Sequence, residues 1–315
     1  MNFTPNEKEQ RIMDELEERI RCSVENSLSG VHGPFAILLS GGIDSSLLAA
    51  FSRPDIAITC RFLEPKYDEF SDSLKTAEHL GLIQRPVEVT KALFMENIRD
   101  AVNAHRPTTH FSLVPLYLAF KKAKELGFTT VLSGEGPDEY LGGYASYSFI
   151  THEQELYKQE ELANYGPALN KYLGTPMERF ARVLGKRPDE LKPYWDKYDN
   201  LLSKMGYTDL HLRGIEEMEL ALAKHFGITL LYPYMSEDVS EFCFRAVPDD
   251  MKIRWFCTKW ILRRIAEKYI PPEVAWRKNK MGGPVAPVGL WLGQENEYDK
   301  AEYLALQNEL WTGAQ

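Results

Sequence analysis

Two short glycine-rich runs carry the residue types that could do chemistry. The first, Ser40-Gly41-Gly42-Ile43-Asp44-Ser45-Ser46, follows the apolar run Phe35 to Leu39 and precedes Leu47, Leu48 and Phe51. Strand, glycine loop and helix in that order make an anion site, because paired glycines let backbone amides approach the anion and the helix adds its positive N-terminal end. Ser40, Ser45 and Ser46 add hydroxyl donors. An acid such as Asp44 inside an anion loop makes sense if a cation is shared, and magnesium takes one or two carboxylates together with phosphate oxygens. The second run, Ser133-Gly134-Glu135-Gly136-Pro137-Asp138-Glu139, supplies a further acid. No G-x-x-x-x-G-K-[ST] and no G-x-G-x-x-G occurs in the chain, so neither a Walker loop nor a dinucleotide fingerprint is present.

The elements around these runs follow from the apolar pattern. Ile12, Leu16, Ile20, Val24 and Leu28 recur every fourth residue, which predicts an opening amphipathic helix ended by Gly30 to Pro34. Phe35 to Leu39, Ile56 to Phe62, Arg85 to Val89 and Phe128 to Leu132 read as strands. Ser71 to Leu80, Phe94 to Ala104 and Leu113 to Leu126 read as helices, with a polar loop at His105 to His110. Such alternation predicts an α/β fold with a parallel sheet, helices on both faces and ligands beyond the carboxyl ends of the strands. Both glycine-rich runs fall there. From about Ser146 the strands are expected to stop, and Glu153 to Ala221 reads as charged and aromatic helices separated by Gly166, Gly174, Gly185 and Gly206. The expected division is an α/β core over residues 1–150, which carries both glycine-rich runs, and a mostly helical part over residues 151–315 that completes the same active site.

Composition narrows the partners. The 315 residues are 44% hydrophobic, enough for one large core or two moderate ones. A net charge of -9 disfavours nucleic acid and anionic membranes as partners. No run approaches the roughly 18 apolar residues of a membrane span, so a cytoplasmic location is expected. Cys22, Cys60, Cys243 and Cys257 form no C-x-x-C pair. Buried reduced thiols are therefore expected, rather than a zinc ribbon or a disulfide framework.

The order S-G-G-x-D-S-S resembles the pyrophosphate loop of the ATP pyrophosphatase enzymes, which split ATP into AMP and pyrophosphate. S-G-E-G-x-D-E followed by Gly142-Gly143-Tyr144 is similar to the second signature of the asparagine synthetases. Tyr67-Asp68-Glu69, Leu262-Arg263 and the stretch Arg277 to Gly282 agree with that family in its order. The resemblance implies an adenine nucleotide α-hydrolase-like fold with a parallel five-stranded sheet flanked by helices, and it implies ATP and Mg2+ as cofactors. By that resemblance Ser40, Gly41, Gly42, Ser45 and Ser46 grip the phosphates, and Asp44 and Asp138 hold magnesium on the pyrophosphate. Leu38, Cys60, Ser133 and Gly134 line the adenosine pocket, largely through backbone groups. Glu135 lies beside the reacting carboxylate, and Lys280 reaches over the α-phosphate, where a fixed cation stabilises charge that grows in the transition state. The implied activity is that of a carbon-nitrogen ligase: a small carboxylic acid is adenylated, and its acyl group passes to ammonia or an amine.

Departures from that family set further expectations. Members that use glutamine begin with a cysteine on a separate glutaminase domain, whereas this chain begins Met1-Asn2-Phe3 with about 34 residues ahead of the strand before the loop, too few for such a domain. Nitrogen is expected from free ammonia, from an amine, or from a partner such as a separate glutaminase. Where the family carries G-x-E-x-R-x-P-F-L-D, Thr229, Leu231 and Ser236 stand at the Glu, Arg and Asp positions. Glu216-Glu217 replaces a D-R or N-K pair, and Phe111 replaces an arginine. Neither leucine nor phenylalanine makes the two-pronged contact that holds a carboxylate, so plain aspartate is not the expected acid. Phe111, Leu231 and Tyr232 read either as a less polar acceptor pocket or as core packing. Lactam-forming relatives place a tyrosine where Glu135 stands, so Glu135 favours an intermolecular amide. An intramolecular lactam-type synthetase and an inactive nucleotide-binding subunit partnering a glutaminase are the alternatives. A homodimer is compatible with either.

Overall fold

The computed structural model describes residues 4–151, 174–278, 284–294 and 300–313. Helix α1 (Glu7–Leu28) carries the expected stripe, with Met13, Leu16, Ile20 and Val24 buried. There follow β1 (Ala36–Leu38), α2 (Ile43–Ser52), β2 (Ile56–Phe62), α3 (Phe70–Leu80), β3 (Ile83–Val89), α4 (Lys91–Ala104), α5 (Leu113–Glu125) and β4 (Thr130–Leu132). Next come α6 (Pro137–Tyr140), α7 (Ala145–Thr151), α8 (Pro176–Leu184), α9 (Pro188–Trp195), α10 (Leu201–Arg213), α11 (Ile215–His225) and β5 (Thr229–Leu231). The chain continues with α12 (Glu237–Arg245), α13 (Asp249–Lys252), α14 (Trp260–Ala266), α15 (Pro272–Ala275), α16 (Val288–Leu292) and α17 (Ala301–Leu310).

The five strands form one all-parallel sheet in the order β3-β2-β1-β4-β5. Parallel strands covered on both faces need apolar residues on both faces, and Ala36, Ile37, Ile56, Ala57 and Ile58 are all buried. From β1 the chain builds outward to β3 on one side and then to β4 and β5 on the other. The carboxyl ends of β1 and β4 therefore flank the topological switch point, where such sheets bind ligands. At one edge β3 leaves Arg85, Pro86 and Glu88 exposed, and a proline and charges on an edge strand blunt further pairing.

Two expectations fail here. Strands do not stop at Ser146, because Thr229–Leu231 pairs with Thr130–Leu132 as the fifth strand. Three residues are too few to carry a period-two signal. Gly206 does not separate helices either; it lies inside α10, where a Cβ would stand 1.9 Å from the Glu139 carbonyl oxygen. That glycine marks close helix packing.

The chain packs as two compact units, which interleave in sequence. One contains Val24–Gly134, Ile215–Pro233 and Ala266–Gln315 and holds the sheet; its core includes Ile58, Val89, Phe94, Phe120 and Val131. The other contains Met1–Ser23, Glu135–Gly214 and Tyr234–Ile265, built of helices around Tyr147, Phe180, Leu202 and Met205. None of the four cysteines forms a disulfide, but only Cys243 is buried, while Cys22 is exposed. Among the described residues no helix is long and apolar enough to cross a membrane.

Candidate active site

In the sheet unit, pairing continues past β1, since the Leu39 amide donates to Ile58 O at 2.9 Å. The chain then turns on its own serines. The Ser40 amide donates to Ser45 Oγ at 3.0 Å, and the Gly42 amide donates to Ser40 Oγ at 3.1 Å. Gly42 is the N-cap of α2 and provides no side-chain cap, and the N-terminal end of a helix favours an anion. Gly41, Gly42, Asp44, Ser45 and Ser46 are buried, and Ser46 Oγ lies 3.1 Å from Thr76 Oγ1 on α3.

The second run meets the first at the backbone. Ser133 is buried, and its amide donates to Leu231 O at 3.0 Å. A Cβ on Gly134 would stand only 2.9 Å from Ser45 N, so these loops touch without an intervening side chain. Leu38 is half-buried at the end of β1, and Cys60 is half-buried two residues before the end of β2. Burial pushes the Cys60 thiol up to about 12, which keeps it protonated. Arg277 pairs with both Glu69 and Asp72, at 2.7 Å to the latter. Burial works against its charge, yet Glu69 and Asp72 hold the guanidinium above its usual range. The segments singled out at Tyr67-Asp68-Glu69 and at Arg277 thus come together at the start of α3.

In the helical unit, Asp138 on α6 pairs with Lys259 Nζ at 2.7 Å, and Lys259 is almost fully buried. Gly143 makes room for the pair, since a Cβ there would stand 1.8 Å from Asp138 Oδ1 and 2.2 Å from Lys259 Cε. Next to them the Tyr144 hydroxyl donates to Glu139 Oε1 at 2.5 Å, and the Tyr147 hydroxyl donates to Asp209 Oδ2 at 2.6 Å. Burial and the neighbouring Asp138 push Glu139 up to about 7. Burial raises Asp209 too, against the ion pair it makes with Arg213. The G-G-Y that follows the second run therefore serves the acids of that run: glycine gives space to Asp138, and tyrosine gives a donor to Glu139.

Glu135 is half-buried, and Lys280 lies outside the described residues. Among the described residues no cluster of three or more His, Cys, Asp or Glu side chains could hold a metal. A cation carried by one or two carboxylates and by phosphate oxygens fits this donor set; an all-protein cage does not. Of the positions that depart from the family pattern, Phe111 is core, buried against Tyr303 with ring centroids 5.2 Å apart. Thr229 and Leu231 belong to β5, and Ser236 is the N-cap of α12, accepting from the Val239 amide at 3.4 Å.

Two residues escaped the sequence reading. Lys259 follows an unremarkable Cys257-Thr258, and nothing local marks it as the partner of Asp138. Glu219 did leave a signal: it is an acid on the face of α11 that carries Met218, Leu222 and Ala223, all buried. Its carboxylate accepts from Ser133 Oγ at 2.9 Å.

Fold and site together define an α/β protein in which two glycine-rich loops meet at the switch point of a parallel sheet. Residues 15–309 match the asparagine synthase family, and the chain belongs to it. Among similar proteins, asparagine synthetase [glutamine-hydrolyzing] 1 of Bacillus subtilis is 26% identical, with 94% of this chain and 53% of that protein aligned. Asparagine synthetase B of Escherichia coli is 26% identical over 85% of this chain and 44% of its own length. A Brassica oleracea asparagine synthetase reaches 34% over 44% of this chain. The chain thus spans about half the length of the first two of these relatives, 53% and 44%. A solved NMN synthetase from Francisella tularensis aligns with 72% of this chain at a TM-score of 0.27 and 14% identity.

Proposed function

We propose that this chain is an ATP-dependent amide-forming synthetase, which adenylates a carboxylic acid and passes the acyl group to ammonia or an amine. The observation that carries this reading is the backbone contact of Gly134 with Ser45, because it joins the anion loop of β1 to the second signature at the carboxyl ends of adjacent strands. The acid's carboxylate oxygen attacks the α-phosphorus of ATP, the bond from that phosphorus to the bridging oxygen breaks, and pyrophosphate leaves. The loop from Ser40 to Ser46 and the N-terminal end of α2 hold the departing phosphates. Asp44 and Asp138 are the proposed carboxylates for magnesium, which when bound would offset charge on the pyrophosphate. Ammonia or an amine then attacks the acyl carbon, the bond to AMP breaks, and Glu135 takes the proton released from nitrogen. Lys280 is assigned to the charge at the α-phosphate.

An acid other than aspartate is proposed, since Thr229, Leu231 and Ser236 offer no guanidinium and Arg277 is already engaged by Glu69 and Asp72. Incubation with ATP, magnesium, ammonium and a panel of acids tests this reading. Acid-dependent AMP and pyrophosphate in equal amounts are expected, with aspartate among the poorest acids. ADP and phosphate as the only products would end the reading.

A further inference from the structure

Glu219 is a buried acid that the chemistry above leaves unused. It is 3% exposed on α11, whose other buried side chains, Met218, Leu222 and Ala223, are apolar. A carboxylate in that place costs desolvation that a leucine would not. Burial, opposed by the hydrogen bonds from Ser133 and Tyr232, pushes it up to about 7.

What it holds is the start of the second signature. Ser133 is fixed from two sides, by its amide on Leu231 O at 3.0 Å and by its hydroxyl on Glu219 Oε2 at 2.9 Å. The next residue, Gly134, packs its backbone on Ser45 in the first turn of α2. A shift of Ser133 therefore passes to the anion loop with no flexible side chain between them. We propose that Glu219 is a positioning residue for the nucleotide: it fixes Ser133, and through Gly134 the first turn of α2, in the geometry that accepts ATP. This deepens the reading above and rests on it.

Calorimetric titration of the full chain with ATP and magnesium, without acid or nitrogen donor, tests the assignment apart from amide synthesis. Glu219→Leu should weaken ATP binding about tenfold, as expected for losing a hydrogen bond to a charged group. Its melting temperature at pH 8 should stay at or above that of wild type, because an apolar replacement removes a buried charge. Glu219→Gln keeps an acceptor without the charge and should fall between the two. Ser133→Ala should weaken ATP binding in the same direction, and the double variant should lose less than the sum of the two, since the single variants share the Ser133–Glu219 bond. In turnover the loss should sit in the KM for ATP, with kcat within about twofold of wild type. Should Glu219→Leu fail to fold, Ser133→Ala and Glu219→Gln carry the same comparison. Folded variants that bind ATP as tightly as wild type overturn the proposal. Wild-type protein that binds no ATP overturns the nucleotide reading and this proposal with it.

Discussion

Asp138 and Lys259 form a close ion pair with little water around it, and such a pair is sensitive to any atom that enters its space. Gly143 is where an atom can be added. Its missing Cβ would overlap Asp138 Oδ1 at 1.8 Å and Lys259 Cε at 2.2 Å, so Gly143→Ala forces the two side chains apart. Breaking a buried pair costs about 3 kcal/mol. Misplacing a carboxylate that serves the chemistry costs roughly 100-fold in rate. Gly143→Ala is therefore expected to lower both the denaturation midpoint and, at temperatures where it is fully folded, the rate of AMP formation by about that factor. A folded variant with undiminished AMP formation would remove Asp138 from the proposed metal site. The two glycine-rich runs could be read from sequence because each is a local signal of a turn and its donors. Lys259 and Glu219 could not be paired with Asp138 and Ser133, since each partner lies far along the chain and only the fold brings it near.

At the scale of elements, the packing of α10 against Glu139 turns on a single glycine. A Cβ at Gly206 would meet the Glu139 carbonyl oxygen at 1.9 Å, and a backbone atom cannot swing aside as a side-chain end can. Gly206→Ala should cost about 1–3 kcal/mol by overpacking, in spite of alanine's better helix propensity. Urea unfolding that gave a stabilised variant would contradict that contact. The sequence pointed the other way, to a helix break at Gly206, because a glycine that ends a helix and one that admits a neighbour look alike in one dimension. Gly185 was legible, since it does end α8 in the left-handed conformation that glycine adopts without strain. The central strands were legible for a similar reason: Ile56 to Phe62 reads as a strand and is one, with its apolar run buried on both faces. Strand β5 was not, because its residues are held by pairing with β4 and lack a pattern of their own.

For the molecule as a whole, buried charges of opposite sign set how stability follows pH. Glu139 and Glu219 both rise from an ordinary 4.5 to about 7, so the folded state binds the proton more tightly, and the stability they contribute is full below pH 4.5 and lost as pH rises through 7. Lys252 behaves in the opposite sense. It is fully buried, with Nζ donating to Ser203 Oγ at 2.6 Å, and burial, opposed by Asp249, lowers it from 10.5 to about 8. Its contribution is present above pH 10.5 and lost as pH falls through 8. Between pH 7 and 8 the molecule therefore carries both costs at once, two buried carboxylates and a buried ammonium. Replacing Lys252 by methionine should remove the rise in stability from pH 8 to 10.5, a term on the order of 3 kcal/mol, while the slope due to the two glutamates stays in place below pH 7. Urea unfolding at half-unit steps of pH measures this directly. A variant that kept the wild-type rise between pH 8 and 10.5 would place its origin in another group.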